Sequence, residues 1–148
     1  MTRRRVWRPE PSDEGPTLAQ HQVDADTLPY ALDKLPRKEP VGAAGFFALD
    51  LRVGRVVDVE PFAEARKPAW KLTVDFGPQV GELRTSAQIT NYGEEQLRGR
   101  LVVGAVNLGD KRIAGFVSQF LILGALDPDG TVNLLAVDAH VAPGSPVA

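Results

Sequence analysis

Two stretches of strict alternation constrain this chain more than any other feature. Trp70, Leu72, Val74 and Phe76 alternate with Lys71, Thr73 and Asp75, and Leu83, Thr85, Ala87 and Ile89 alternate with Arg84, Ser86 and Gln88. Successive side chains on a strand point to opposite faces, so each stretch predicts a strand with one buried and one polar face. A preceding strand is expected over 51–60, where alternation puts Arg55 on the face of Leu51 and Val53 unless the chain bulges. Gly54 is the expected bulge, because a residue without a Cβ lets a barrel strand bend. Asn91, three residues before Glu94, resembles a capping box and predicts a short helix over 94–98 that stops near Gly99. Further strands are expected over 101–107, 120–123 and 131–135, with a loop over 108–117 and a turn at Asp127-Pro128-Asp129-Gly130.

Many short strands with one small helix before the fourth match an all-β, five-stranded oligonucleotide/oligosaccharide-binding (OB) barrel. The 148 residues, 43% of them hydrophobic, suffice for one domain with a real core. That domain is expected over 46–148, including a C-terminal tail. Residues 1–45 read as a proline-rich N-terminal extension, since Pro9, Pro11, Pro16, Pro29, Pro36 and Pro40 all fall there among few apolar runs. Within it Thr27 is expected to cap a short turn containing Pro29. Tyr30, Leu32 and Leu35 then form an apolar edge that packs on the domain or on a partner subunit. Arg3, Arg4, Arg5 and Arg8 suit RNA phosphates, although a short basic terminus is more often simply solvated. The chain has no cysteine, which excludes disulfides and thiolate chemistry. It has no apolar run of membrane-spanning length and no signal-peptide pattern, so a soluble cytoplasmic protein without membrane insertion is expected.

Nothing in the sequence points to catalysis. The phosphate-binding, dinucleotide and nucleophile-elbow glycine motifs are missing, and His21 and His140 are too far apart in sequence to suggest a pair. Asp127 and Asp129 with Gly130 begin like a calcium loop but lack the later ligands, and Ser118 has no histidine near it in sequence. The chain is therefore expected to be no enzyme and to use no cofactor or metal. With a net charge of −2, any RNA affinity must come from a local positive patch. An OB barrel binds ligands across its second and third strands, where Lys71, Thr73, Arg84, Ser86 and Gln88 are expected to project. The loop from Asn107 to Ile113 adds Lys111 and Arg112, opposed by Asp75, Glu82 and Asp110. A solvated strand face has much the same composition. Trp70 shares the parity of Leu72 and reads as core, whereas Tyr92 and Phe116, expected in loops, suit base stacking. Phe46 and Phe47, with Leu49, read either as core or as the seal of a subunit interface.

The segments FFALDLRVGRV, EARKPAWKLTVDFG, LRTSAQIT, EEQLRGR and AVNLGDKRIAGFVSQFLILGA, in that order, closely resemble the CsaA-type export-related chaperones. These are members of the broader tRNA-binding-domain family, which includes the C-terminal domain of methionyl-tRNA synthetases. The resemblance covers roughly residues 46–135; Ala65 to Ala69 (ARKPA) and Ser86 to Thr90 (SAQIT) are specific to the CsaA branch. It implies an OB barrel, a homodimer held by segments flanking the barrel, and no catalysis. CsaA-type proteins are thought to bind unfolded or export-bound polypeptides, and the wider family binds the outer shape of tRNA. The family's strand motif associated with tRNA contact falls on Ser118, Gln119 and Leu121, and its Asn-containing loop motif falls on Asn107 and Lys111. Gly109-Asp110 replaces the prolines usual in that loop, and the N-terminal extension lies outside the family pattern.

Two functions follow. The first is a dimeric tRNA- or RNA-binding module that uses Lys71, Arg84, Ser86, Gln88, Asn107, Lys111, Arg112, Ser118 and Gln119. The alternative is a chaperone holding apolar polypeptide segments near the dimer seam, with Phe46, Phe47, Trp70 and Phe116 as the contact residues.

Overall fold

The computed structural model describes residues 23–148. Helix α1 (Gly42–Phe47) leads into β1 (Leu51–Pro61), β2 (Trp70–Asp75) and β3 (Glu82–Ala87). Helix α2 (Glu94–Leu97) precedes β4 (Leu101–Ala105), and β5 (Lys111–Ile113), β6 (Phe116–Ser118), β7 (Leu121–Ile122), β8 (Gly124–Leu126) and β9 (Val132–Leu134) follow. The main sheet has five antiparallel strands in the order β3-β2-β1-β4-β7. Its ends are joined by hydrogen bonds between β3 and residues 118–120, the end of β6 and the link to β7. Gln119 N–H donates to Arg84 O at 2.7 Å, Ser86 N–H to Ser118 Oγ at 3.1 Å, and Thr85 Oγ1 to Phe120 O at 2.8 Å. The result is the OB-like barrel expected from the sequence.

The alternating apolar positions fill its interior. Val56, Leu72, Val74, Phe76, Ile89, Leu97, Val102 and Phe120 belong to one buried cluster, with Phe76 edge-on to Phe120 at 4.9 Å between ring centroids. Burying side chains of this size contributes about 1.5–3 kcal/mol each, which makes this cluster the main source of stability.

The bulge in β1 lies at Val57, where the register with β2 shifts between Val56 and Asp58, rather than at Gly54. Gly54 serves another purpose: a Cβ there would stand 2.5 Å from Val74 Cγ1 and 2.8 Å from the Phe76 ring. The missing side chain makes room for the core, so the glycine marks close packing.

Helix α2 is also capped differently from the expectation. Gly93 N–H donates to Gln96 Oε1 at 2.7 Å, while Asn91 Nδ2 donates to Val132 O at 3.1 Å, tying the helix entry to β9. Leu97 is fully buried, and Gly99, at φ +78°, stops the helix where expected. Strand β4 ends at Ala105, before Asn107, and the expected loop over 108–117 contains the β5–β6 hairpin. Its two-residue turn has Ala114 at φ +48° and Gly115 at φ +80°, the left-handed pair that twists a tight hairpin correctly. The apolar run over 120–123 forms a strand only at Leu121–Ile122. The Asp127 to Gly130 turn joins β8 to β9, with Asp127 N–H donating to Thr131 O at 2.9 Å.

In the extension, Asp24 rather than Thr27 caps the first turn. Its Oδ1 accepts from Asp26 N–H at 3.1 Å, and Thr27 Oγ1 closes the turn from inside by accepting Asp24 N–H at 3.1 Å. Tyr30 attaches the extension to the β8–β9 hairpin: its N–H donates to Pro128 O at 3.0 Å and its hydroxyl to Leu126 O. Leu32 stays exposed, so the expected apolar edge is only partly used within one chain. Pro9, Pro11, Pro16, Arg3, Arg4, Arg5, Arg8 and His21 lie outside the described residues. At the other end, Val53 N–H donates to Ser145 O at 2.9 Å, Gly144 N–H to Val53 O at 2.7 Å and Val147 N–H to Leu51 O at 2.9 Å. This segment covers the stretch of β1 that β2 does not reach, which removes an open strand edge.

Candidate functional site

Strand register gathers the polar residues expected to bind a ligand. Lys71 pairs with Ser86 and Thr73 with Arg84 across β2 and β3, while Lys111 pairs with Ser118 and Arg112 with Val117 across β5 and β6. The Ser86 and Ser118 hydroxyls, 3.3 Å apart, connect these two pairs. Lys71, Ser86, Ser118 and Lys111 thus form one row across the strands, with Arg84 beside it, whereas Arg112, next to Lys111 in β5, faces the other side of the hairpin with Val117. Gln88 is exposed one residue beyond β3.

Several members of this set have structural work. Ser118 is buried and accepts from the Ser86 backbone. Gln119 Oε1 accepts from Arg84 N–H at 3.0 Å, so its side chain takes the place of a neighbouring strand. Asn107 sits between two backbone groups, accepting Asp50 N–H at 2.8 Å and donating to Ala48 O at 2.9 Å. It fastens the link between α1 and β1 to the segment that follows β4. These bonds join residues far apart in sequence, so no local pattern announces them.

The aromatic residues depart furthest from expectation. Phe116 lies in β6, not in a loop, and is only 7% exposed. Its ring tilts against buried Phe62 at 5.5 Å, forming a second small cluster with Ala65 and Ala69. Two cations cover it: the Arg84 guanidinium lies 4.7 Å from the ring centroid and Lys71 Nζ 5.3 Å, with Lys71 also 4.8 Å from Phe62. Cations over aromatic faces are held by the ring's negative quadrupole. Phe116 is therefore no open stacking platform or exposed peptide contact in this conformation. Phe62 was missed because a single phenylalanine after a proline carries no periodic signal.

Each covering cation also has a carboxylate partner. Arg84 Nη2 lies 3.5 Å from Glu60 Oε2, and Lys71 Nζ lies 3.7 Å from Glu64 Oε1. Arg112 Nη1 donates to Gly115 O at 3.4 Å. Tyr92 is half-buried, accepts Leu134 N–H at 3.0 Å and lies under Arg100, so it too is occupied. Trp70 packs at the core edge, as its parity implies, and donates Nε1–H to Tyr92 O at 3.1 Å. That placement leaves it half-buried rather than open to a client.

Below the hairpin runs a groove of about 470 Å³ lined by Leu49, Leu51, Leu108, Ile113, Leu121 and Leu123, with Ser118 and Lys111 also in its wall. On α1, Phe46 and Phe47 meet edge-on at 5.6 Å, and Phe47 is 71% exposed. Neither belongs to the core of this chain. His140 is exposed, and no group of three metal-binding side chains occurs among the described residues. No helix among them is long and apolar enough to cross a membrane. The shifted titrations lie outside the cationic row. The Arg52 and Arg98 guanidiniums are held above their ordinary range, chiefly by hydrogen bonds to Asp50 and Glu94, and the Asp129 carboxyl is held below its range, chiefly by the Thr131 backbone.

Comparison with known proteins gives one consistent result. The pattern described as a putative tRNA binding domain matches residues 51–146. The chain is 34% identical over 115 residues to the methionine–tRNA ligase of Archaeoglobus fulgidus, covering 78% of this chain but only 17% of the ligase. Its structure resembles the CsaA chaperone protein of Picrophilus torridus, with a TM-score of 0.70 and 41% identity over 74% of this chain and all of that one. A MetRS-related protein from Pyrococcus horikoshii is similar at a TM-score of 0.68 and 30% identity, over 75% of this chain and all of that one.

Proposed function

Because the chain belongs to the putative tRNA-binding-domain family, in its CsaA-type branch, we propose that it is a non-catalytic, homodimeric module that binds tRNA or similarly structured RNA in the cytoplasm. The observation that supports this reading is the row formed by Lys71, Arg84 and Lys111 across β2, β3 and the β5–β6 hairpin, with Arg112 adding positive charge on the hairpin's other face. Cations spread over a rigid strand surface suit phosphates along a folded RNA, and such contacts respond to the shape of the backbone rather than to base sequence. The exposed Phe46 and Phe47 support the dimer, since apolar side chains of that size are normally covered. Titration with tRNA tests the reading. Affinity is expected to fall steeply between about 50 and 200 mM salt, and Lys111→Glu with Arg112→Glu is expected to weaken binding whatever the RNA sequence. Binding that ignores salt, or no binding at low salt, overturns it.

The apolar groove favours a second reading, a chaperone that holds extended apolar segments of unfolded or export-bound polypeptides. It predicts suppression of client aggregation with little salt dependence, reduced when Ile113 and Leu121 become Ser. Unchanged suppression in that variant removes the groove from the reading.

A further inference from the structure

Glu60 and Glu64 each lie against one of the two cations that cover Phe116. Lys71 and Arg84 are both within 5.3 Å of the Phe116 ring centroid, and each is drawn to one of these carboxylates. Glu60 stands opposite Lys71 in the β1–β2 register, and Glu64 comes from the loop that joins those strands. The Lys71 side chain is only 23% exposed and the Glu64 carboxylate, 3.7 Å away, is 65% exposed. Both carboxylates are more than half exposed and free to swing into solvent, and pairs with such exposed partners are weak.

Resting on the RNA-binding reading above, we propose that Glu60 and Glu64 are built-in counterions that RNA must displace, and that they set the selectivity of the site. A free cation attracts any polyanion and releases a salt ion when it binds. Where the cation is already paired, the displaced carboxylate takes up a salt cation in exchange, so the net release is close to none, and a carboxylate left in place repels the ligand. Only a ligand that presents phosphates to Lys71 and Arg84 together overcomes both repulsions at once. A flexible polyanion must be ordered to do so, whereas folded RNA holds neighbouring phosphates in place. The two glutamates thus act against unwanted ligands more than they act for the right one.

The test compares the full-length wild type, Glu60→Gln/Glu64→Gln, and Glu39→Gln/Glu95→Gln, a matched loss of two exposed acids elsewhere. Binding of tRNA and of poly(U) is measured across a salt series. The first variant is expected to bind tRNA roughly two- to tenfold more tightly at low salt. Its log-affinity against log-salt slope should steepen by about one to two, because each phosphate contact then releases a salt ion. Its preference for tRNA over poly(U) should shrink. Adding Lys71→Gln and Arg84→Gln should abolish the steeper slope, which shows that these cations carry it. If the first variant matches the Glu39/Glu95 control in slope and preference, the counterion role is overturned while RNA binding by the wild type stands. If no protein in the set binds tRNA at low salt, the RNA-binding reading falls as well.

Discussion

Gln119 binds both backbone polar groups of Arg84: its backbone N–H donates to Arg84 O at 2.7 Å, and its side-chain oxygen accepts Arg84 N–H at 3.0 Å. A single residue thereby completes a two-bond strand pairing and draws the two ends of the sheet together. Replacing Gln119 with Leu removes the acceptor and leaves the Arg84 amide to water. A loss of about 1 kcal/mol is expected in urea unfolding, as for an exposed backbone hydrogen bond. Gln119→Glu keeps an acceptor oxygen and should recover most of that loss.

Asn107→Ala separates a structural role from an RNA contact. The substitution removes the acceptor for Asp50 N–H and the donor to Ala48 O. Stability is expected to fall by about 1–2 kcal/mol, with faster proteolysis between α1 and β1. RNA affinity of the folded variant should be unchanged. A large drop in affinity at normal stability would mean that Asn107 touches the ligand directly.

Acid should loosen the β8–β9 turn through Asp129. Its carboxylate accepts Thr131 N–H at 2.9 Å, and this bond holds its titration below the ordinary carboxylate range in the folded protein. A depressed carboxyl contributes stability in full above its unfolded value and loses that contribution as pH falls through the folded value. The stability difference between wild type and Asp129→Asn should therefore shrink as pH drops from about 5 to 3. A difference that stays constant over that range contradicts the assignment.

Strand periodicity made β2 and β3 readable because each buries one face and wets the other. The same rule placed Trp70 at the core edge and Lys71 and Arg84 on the outside. It could not locate the β1 bulge: Gly54 has the right chemistry, but Val74 and Phe76 need its empty space, so the extra residue falls at Val57. The hairpin around Ala114 was hidden for a related reason. An alanine at positive φ is uncommon and carries no turn signal, so a run without alternation read as loop. At the site, charge was legible but occupation was not. Ser118, Gln119 and Asn107 appear in sequence as polar residues available to a ligand, and only the closed barrel reveals the backbone groups they satisfy.

The segment that zips onto β1 near Val53 also has a timetable. During synthesis β1 emerges almost a hundred residues before Gly144 to Val147 can reach it. Until then the ribosome presents a nascent barrel with a bare strand edge beside a partly formed apolar interior, the combination most prone to pairing with another chain. Successful folding in the cell thus depends on the order in which the polypeptide appears. Slowing translation after β4 should raise the fraction of chains that aggregate.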